Sequence, residues 1–363
     1  MITRIKIQGY KSIQDQEIEL KPINILLGGN GVGKSNFISI FTLIRNIYIQ
    51  NLQSYVKSKG GADTFLHFGK KTTYEINFEI TFGSILSDTN RYIVKLKEAQ
   101  DSLFINSTKT AFLSYTTWSH QWIEKNKLES ELIQTNKGQA YYLNKRLKEF
   151  DVYHFHDTGD KSPMKGNSNV NDNRYLKNDG SNIASFLYFL KLKHNKHFQR
   201  IEKTIQSVAP FFDKFVLEPS NLNVEMIRLE WREKGAPESY FNAYHLSDGT
   251  LRFICLATLL MQPEPPGTVI IDEPELGLHP VAINKLAALI RNVSKTTQVI
   301  ISTQSLNLID NFDPEDIVVT ERTEQGSNFY RLNPPDLENW LKDYTLGDLW
   351  GKNIFGAQPY TIG

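Results

Sequence analysis

Residues 23–35, INILLGGNGVGKS, decide how the rest of the chain is read. The first half is almost continuously apolar, as a strand buried on both faces of a parallel sheet must be. The second half, GGNGVGKS (28–35), fits G-x-x-x-x-G-K-[S/T]. Phe37, Ile40, Phe41 and Ile44 then follow at the spacing of one helix face. Strand, glycine loop and amphipathic helix form the context in which this pattern cradles phosphate. Gly28, Gly31 and Gly33 let backbone N–H groups turn inward on phosphate oxygens. The helix start adds the positive end of a dipole. Lys34 bridges β- and γ-phosphates and the Ser35 hydroxyl takes Mg²⁺. Asn30, Val32 and Asn36 are counted with them as nucleotide contacts. The bland alternative is a glycine-rich turn that only opens a helix.

A second stretch complements the first. GTVIIDEPELGLHP (267–280) is an apolar strand ending in Asp272 and Glu273, at the strand end where open α/β sheets bind ligands. Asp272 suits the Mg²⁺ shell and Glu273 can polarise an attacking water. ISTQS (301–305) ends the next strand, where Gln304 can donate to a γ-phosphate without becoming charged. Capping of the following helix by Thr303 or Ser305 is compatible with that role. LSDGTLR (246–252) precedes an apolar helix and offers Ser247, the Gly249 backbone and free helix N–H groups, which make an anion site. An ordinary cap by Ser247 or Asp248 fits as well. A second anion site beside a single glycine loop suggests a composite site. The turn of one copy would close on the nucleotide held by the loop of another, giving a C₂ dimer with two nucleotides.

Bulk properties narrow the classes. The 363 residues suffice for two or three cores. Hydrophobic residues make up 40%, charged residues 22%, and the net charge is +1, so no global field draws the chain to nucleic acid and any such contact is local. The lone Cys255 allows no internal disulfide, the opening MITRIKIQGYKS has no signal-peptide core, and no stretch reaches the ~18 apolar residues of a membrane span. A cytoplasmic protein without a membrane segment is expected.

Along the chain, TRIKIQ reads as a first strand, and YEINFEITF (74–82) alternates as a half-exposed antiparallel strand with RYIVKLK and SLFIN as neighbours. Residues 119–150 look charged and helical, 157–182 is a polar loop, and MIRLEW is one more strand. The last third alternates helix and strand in a doubly wound α/β pattern. The expected division is 1–118 and 246–335 as two halves of an α/β head, 119–245 as an inserted, mainly helical lobe, and 336–363 as an aromatic tail with Trp340, Tyr344, Trp350, Phe355 and Tyr360.

The order of these parts resembles the ABC-type ATPase heads of the SMC and RecF class. The resemblance is carried by IKIQGYKSI, GGNGVGKS, LSDGT, VIIDEPELGLHP and STQS. Within that class the chain is similar to stand-alone OLD-type ATPase subunits, through YHFHDT, DNRYLKNDGSNIASFLYFL and LSDGTLRFICLATLL. The resemblance implies an α/β P-loop head that binds ATP and Mg²⁺. Ser247 and Gly249 would contact the γ-phosphate across a homodimer. Glu273 would be the catalytic base, Leu278 and His279 would sit at the dimer seam, and Lys11 would approach the nucleotide. It also implies a separate effector, a Toprim-type nuclease, in anti-phage defence. No Glu with Asp-x-Asp set for that chemistry is found in these residues. The sequence departs from the class at Gln304, where many members have His, and at Asp248, where transporters have Gly. GGADTFLHFG (60–69) lacks the usual glutamine and leaves His67 as a candidate contact. Slow or partner-gated hydrolysis follows as an expectation.

Rival readings are a RecF-like DNA-repair ATPase, with DNA or RNA contact left open, and a nucleotide sensor. Long SMC arms would need heptads that are absent. A transporter subunit fits poorly with about 210 residues between the glycine loop and LSDGT. His154 and His156 could share a strand face as metal ligands, but no third ligand is visible and packing is the better reading. KLKHNKHFQR (191–200) is a solvated helix end or a phosphate contact.

Overall fold

A computed structural model describes residues 1–84, 87–114, 116–135, 138–236 and 238–356. The chain divides into two compact units. One comprises Met1–Val152, Gly267–Ile270 and Thr296–Gly363; the other comprises Tyr153–Pro266 and Ile271–Lys295.

The first unit opens with β1 (Ile2–Tyr10), β2 (Ile13–Glu19), β3 (Ile23–Leu27), α1 (Lys34–Tyr48) and α2 (Leu52–Ser58). Long strands β4 (Glu75–Ser84), β5 (Ser87–Ala99), β6 (Ser102–Ser114) and β7 (Thr117–Lys127) follow, then α3 (Gln139–Leu147). At the short β8 (Val152–Tyr153) the chain passes into the second unit. That unit holds β9 (Ser168–Asn169), α4 (Ile183–Lys193), α5 (Asn195–Val208), β10 (Phe212–Phe215), β11 (Met226–Ile227), β12 (Glu230–Glu233), β13 (Phe241–Asn242) and α6 (Asp248–Met261). Strand β14 (Thr268–Asp272) begins in the first unit and ends in the second, leading to α7 (Pro280–Val293). The first unit is completed by β15 (Gln298–Thr303), α8 (Leu306–Ile309), β16 (Ile317–Thr323), β17 (Gly326–Arg331), α9 (Pro334–Leu337) and α10 (Leu346–Gly351).

Two six-stranded sheets result. One, in the order β2-β1-β4-β5-β6-β7, is antiparallel throughout. The other runs β17-β16-β3-β15-β14-β8, with β15 and β16 parallel to β3 on its two sides and β17 antiparallel at the edge. All five residues of β3 are buried, which explains its unbroken apolar run. Helix α1 has a broad buried face: Ile38, Leu43 and Ile47 join the stripe made by Phe37, Ile40, Phe41 and Ile44. One apolar cluster joins this helix to Ile5, Ile76 and Tyr92 of the antiparallel sheet and to Leu26, Ile300 and Val318 of the mixed sheet. Coverage by both sheets widens the apolar face and leaves a narrow polar stripe of Ser35, Asn36, Ser39, Thr42 and Arg45. In β4, Ile76, Phe78 and Ile80 point inward while Glu79 faces out to Arg91 at 2.9 Å.

Two expectations fail locally. Residues 117–127 form strand β7, so the helical character expected over 119–150 begins only at α3. An edge strand that is exposed on most of its length shows no apolar alternation, and pairing with β6 is set by the backbone. MIRLEW is not one strand. Met226 and Ile227 pair with β9, whereas Glu230 and Trp231 pair with β13, and Trp231 also pairs with Phe215 of β10. The switch follows the rings: Trp231 stacks on Phe212 at 6.1 Å and meets Phe241 at 5.2 Å.

The tail packs on its own unit. Leu346, Leu349 and Trp350 are buried, and the Gly347 N–H donates to Asp310 at 2.6 Å. Tyr360 lies outside the described residues. Among those residues no helix is long and apolar enough to cross a membrane.

Candidate functional site

The first unit builds the glycine loop between β3 and α1. Gly31 has φ 76° and Gly33 has φ 120°, conformations that an L side chain resists. Gly28 is required for a different reason: a Cβ there would lie 2.4 Å from the Thr320 carbonyl oxygen. The first turn of α1 has neither a capping side chain nor an acid, so nothing in it repels or displaces an anion. Lys34 is buried and its ammonium donates to the carbonyls of Gly28 and Gly29 at 2.7 and 2.8 Å. Ser35 is exposed at the second helical position. Asn30 and Gly31 are exposed, whereas Val32 is buried. A helix start without a capping side chain, a lysine curled onto its own loop and an exposed serine fit a nucleotide polyphosphate with Mg²⁺.

The parallel register brings Gln304 beside this loop. Thr303 pairs with Leu27, so Gln304 and Gly28 leave adjacent strands side by side. Ser305 caps α8 and its N–H donates to Thr303 Oγ1, so the capping role holds alongside the position of Gln304.

Sequence reading missed the brace beneath the loop. Ser327 of β17 is buried, and its hydroxyl lies 2.6 Å from the Val32 carbonyl and 2.7 Å from Ser12 Oγ. Asn36 donates to Ser12 Oγ at 2.7 Å. A Cβ on Gly33 would stand 2.0 Å from Ser327 Oγ, so the third glycine makes room for the brace. Lys11, at φ 47°, sends its ammonium to Ser39 Oγ at 2.9 Å, between the rings of Tyr10 and Phe65. Burial, then Lys59, lowers its pKa. Ser12, one residue on, meets Ser327 and Asn36 beneath the loop. His67 is buried, with Nδ1 2.8 Å from the Lys11 carbonyl.

The second unit builds the LSDGT turn (246–250), called the signature turn below, and the acidic pair Asp272 and Glu273. Ser247 is the N-cap of α6, accepting from the Thr250 N–H at 3.2 Å, and it is exposed. A Cβ on Gly249 would be 2.3 Å from the Gly277 carbonyl oxygen, so the turn is pressed on the segment after Glu273. Asp248 is exposed, and the largely buried Lys165 lies 3.9 Å away, near the ring of Tyr244. Neither neighbour was visible in sequence. Asp272 closes β14, and Glu273 follows with φ 41°, an uncommon backbone for a non-glycine residue. Leu278 is buried and His279 caps α7.

His154 and His156 do not share a strand, since β8 stops at Tyr153. Their rings lie 6.2 Å apart, and the His156 Nε2 donates to the Asp272 carbonyl at 2.7 Å. Among the described residues no group of three His, Cys, Asp or Glu side chains could hold a metal. Arg252 is buried, donating from Nε to the Phe155 carbonyl at 2.9 Å and from a terminal nitrogen to the His156 carbonyl at 3.2 Å.

Residues 23–310 match the pattern of a family described as "AAA domain, putative AbiEii toxin, Type IV TA system". No curated protein matches the chain. Among solved structures, an SMC head bound to the C-terminal winged-helix domain of ScpA is similar at 16% identity and a TM-score of 0.59, covering 94% of this chain and 99% of that one. The Smc head with an extended coiled coil from Pyrococcus furiosus, bound to the C-terminal domain of ScpA, is similar at 13% identity and a TM-score of 0.57, covering 94% and 98%. The chain therefore has the fold of an SMC-type head, an α/β P-loop ATPase architecture of ABC type.

Proposed function

We propose a function for this chain from the family it belongs to, the AAA domain, putative AbiEii toxin, Type IV TA system family. The chain binds ATP with Mg²⁺ and hydrolyses it to ADP and phosphate in a dimer that shares two composite sites. The roles follow the sequence. Gly28, Asn30, Gly31, Val32, Gly33, Lys34 and Asn36 line the nucleotide; Ser35 and Asp272 hold Mg²⁺, which neutralises developing phosphate charge. Glu273 orients the attacking water and Gln304 senses the γ-phosphate. Ser247 and Gly249 serve the nucleotide of the second copy.

The observation that carries this reading is the signature turn. It has an exposed hydroxyl at a helix start, a glycine pressed on the Gly277 carbonyl, and exposed Leu276, Tyr244 and Val281 in the flanking segments. Exposed apolar groups beside an anion cradle suit a surface that closes on another copy. Closure would control a separate effector, a nuclease, in bacterial anti-phage defence, and hydrolysis would be slow or gated by that partner. This part rests on the resemblance to OLD-type subunits. Glu273→Gln with ATP should trap a dimer visible by light scattering. A variant that binds ATP yet stays monomeric, alone and with its partner, would overturn the composite site.

A second reading, a RecF-like contact with nucleic acid, is favoured by one surface. On the antiparallel sheet, the ammonium groups of Lys109 and Lys125 lie 3.9 Å from the centre of the exposed Trp122 ring, with Lys95 beside them and no acid lining the hollow. Titration with single-stranded oligonucleotides at several salt concentrations tests it, because affinity carried by lysines falls steeply with salt.

A further inference from the structure

The second unit ties its two functional segments together through residues that have no assigned role. Arg252 stands one turn into α6, after the signature turn, and grips the carbonyls of Phe155 and His156. The His156 ring grips the Asp272 carbonyl. A carbonyl can only accept, so Nε2 carries the proton and the ring is held in one tautomer. The peptide it grips is the one that joins Asp272 to Glu273, where φ is 41°. Left-handed backbone at a non-glycine residue persists only where its surroundings impose it. Gly277, a turn further on, is also left-handed at φ 74°, and a Cβ there would lie 3.1 Å from an Arg252 nitrogen. One guanidinium therefore backs the signature helix, the His156 segment and the loop after Glu273.

We propose that His156 is a positioning residue for Glu273: its donation to the Asp272 carbonyl fixes the Asp272–Glu273 peptide, and Arg252 couples that peptide to the signature turn. The proposal rests on the ATPase reading for its consequence and on the hydrogen bonds of His156 and Arg252 for its geometry. Because Glu273 acts on water through position, a shift of about 1 Å in its backbone is enough to cost on the order of 100-fold in rate. His156 acts in this arrangement through the Asp272 carbonyl it holds, so its loss should lower kcat and leave KM for ATP nearly unchanged.

The test compares His156→Phe, which keeps a ring and loses the donor, with His156→Gln, whose amide nitrogen replaces Nε2. Turnover is measured with whatever partner the wild type needs. Amide hydrogen exchange of segment 273–278 is measured in the nucleotide-free protein. The expected result is a 10- to 100-fold fall in kcat for His156→Phe, within about threefold in KM, with recovery of most of the rate by His156→Gln. Exchange at 273–278 should quicken in the Phe variant alone, while the interior of α6 stays protected. Unchanged rate and unchanged exchange in His156→Phe overturn the proposal. So does a general loss of protection across the unit that Gln fails to restore, since that marks a packing role. If the wild type hydrolyses nothing under any condition, the ATPase reading fails, and the exchange data still decide whether His156 holds the peptide.

Discussion

Replacing Gly249 by alanine probes the contact on which the signature turn depends. A Cβ built on Gly249 stands 2.3 Å from the Gly277 carbonyl oxygen, 3.3 Å from its carbon and 3.7 Å from Leu278 Cα. Ordinary carbon–oxygen contact needs roughly 3.2 Å, so about 0.9 Å of overlap must be relieved. The obstacle is backbone, not the far end of a flexible side chain. Gly277 is itself left-handed, with buried Arg252 behind it, so the loop has little room to retreat. Overpacking of this kind costs about 1–3 kcal/mol. At roughly 2–4 °C per kcal/mol for a cooperative unit of this size, the midpoint of thermal unfolding should fall by about 2–12 °C. The shifted turn should also weaken ATP-driven dimerisation in the Glu273→Gln background. Gly31→Ala is the control: no atom lies within 4 Å of its Cβ, and the left-handed backbone alone costs about 1–2 kcal/mol. A Gly249→Ala protein that melts within a degree of the wild type and still forms the ATP dimer would refute the close approach and its role.

Three further outcomes follow from the two units. Ser327→Ala strips the hydroxyl from beneath the glycine loop and leaves the buried Val32 carbonyl without that donor, so stability should drop by about 1–3 kcal/mol and ATP binding should weaken; an unchanged ATP Kd by calorimetry would separate the brace from the nucleotide. Lys34→Ala should abolish ATP binding by calorimetry while far-UV circular dichroism stays native, because the change removes the ammonium that the glycine loop holds through the carbonyls of Gly28 and Gly29 and leaves the loop's backbone in place. Burial raises the pKa of the Cys255 thiol, which packs 3.4 Å from the Met164 sulfur, so thiolate is scarce at pH 8; alkylation should be slow in the folded protein and rise to the rate of a free thiol in denaturant, followed by mass spectrometry.

What was legible in the sequence is what repeats along the chain or depends on one residue type. The β3 run, the glycine loop and α1 show in order because each needs composition: burial on both faces, left-handed backbone, and a broad apolar helix face. The strand ends bearing Asp272 and Gln304 were readable for the same reason. The braces were not. Ser327 meets Val32 across 295 residues and His156 meets Asp272 across 116, and in both pairs the acceptor is a backbone carbonyl. A carbonyl is present at every position, so no residue type announces it. The β7 edge escaped because a strand half in water can be polar on both faces.

Asp248 shows the same limit from the other side. In sequence it is an acid placed where an incoming phosphate would be repelled. In the fold it occupies the first turn of α6, where the helix dipole favours a carboxylate. Lys165 lies 3.9 Å from it, with its stem largely buried and its ammonium near the Tyr244 ring. A buried-stem lysine has few other directions to point, so the pair offsets the charge that the sequence seemed to leave bare. The exposed carboxylate makes this attraction worth little for stability. Its effect should instead appear on anions: in the proposed composite site, Lys165→Met would leave Asp248 uncompensated where the γ-phosphate is expected and weaken ATP-dependent dimerisation at low salt, and Asp248→Asn in the same background would restore it. Failure of the second change to restore the dimer would mean that Lys165 acts on the nucleotide directly, not through Asp248.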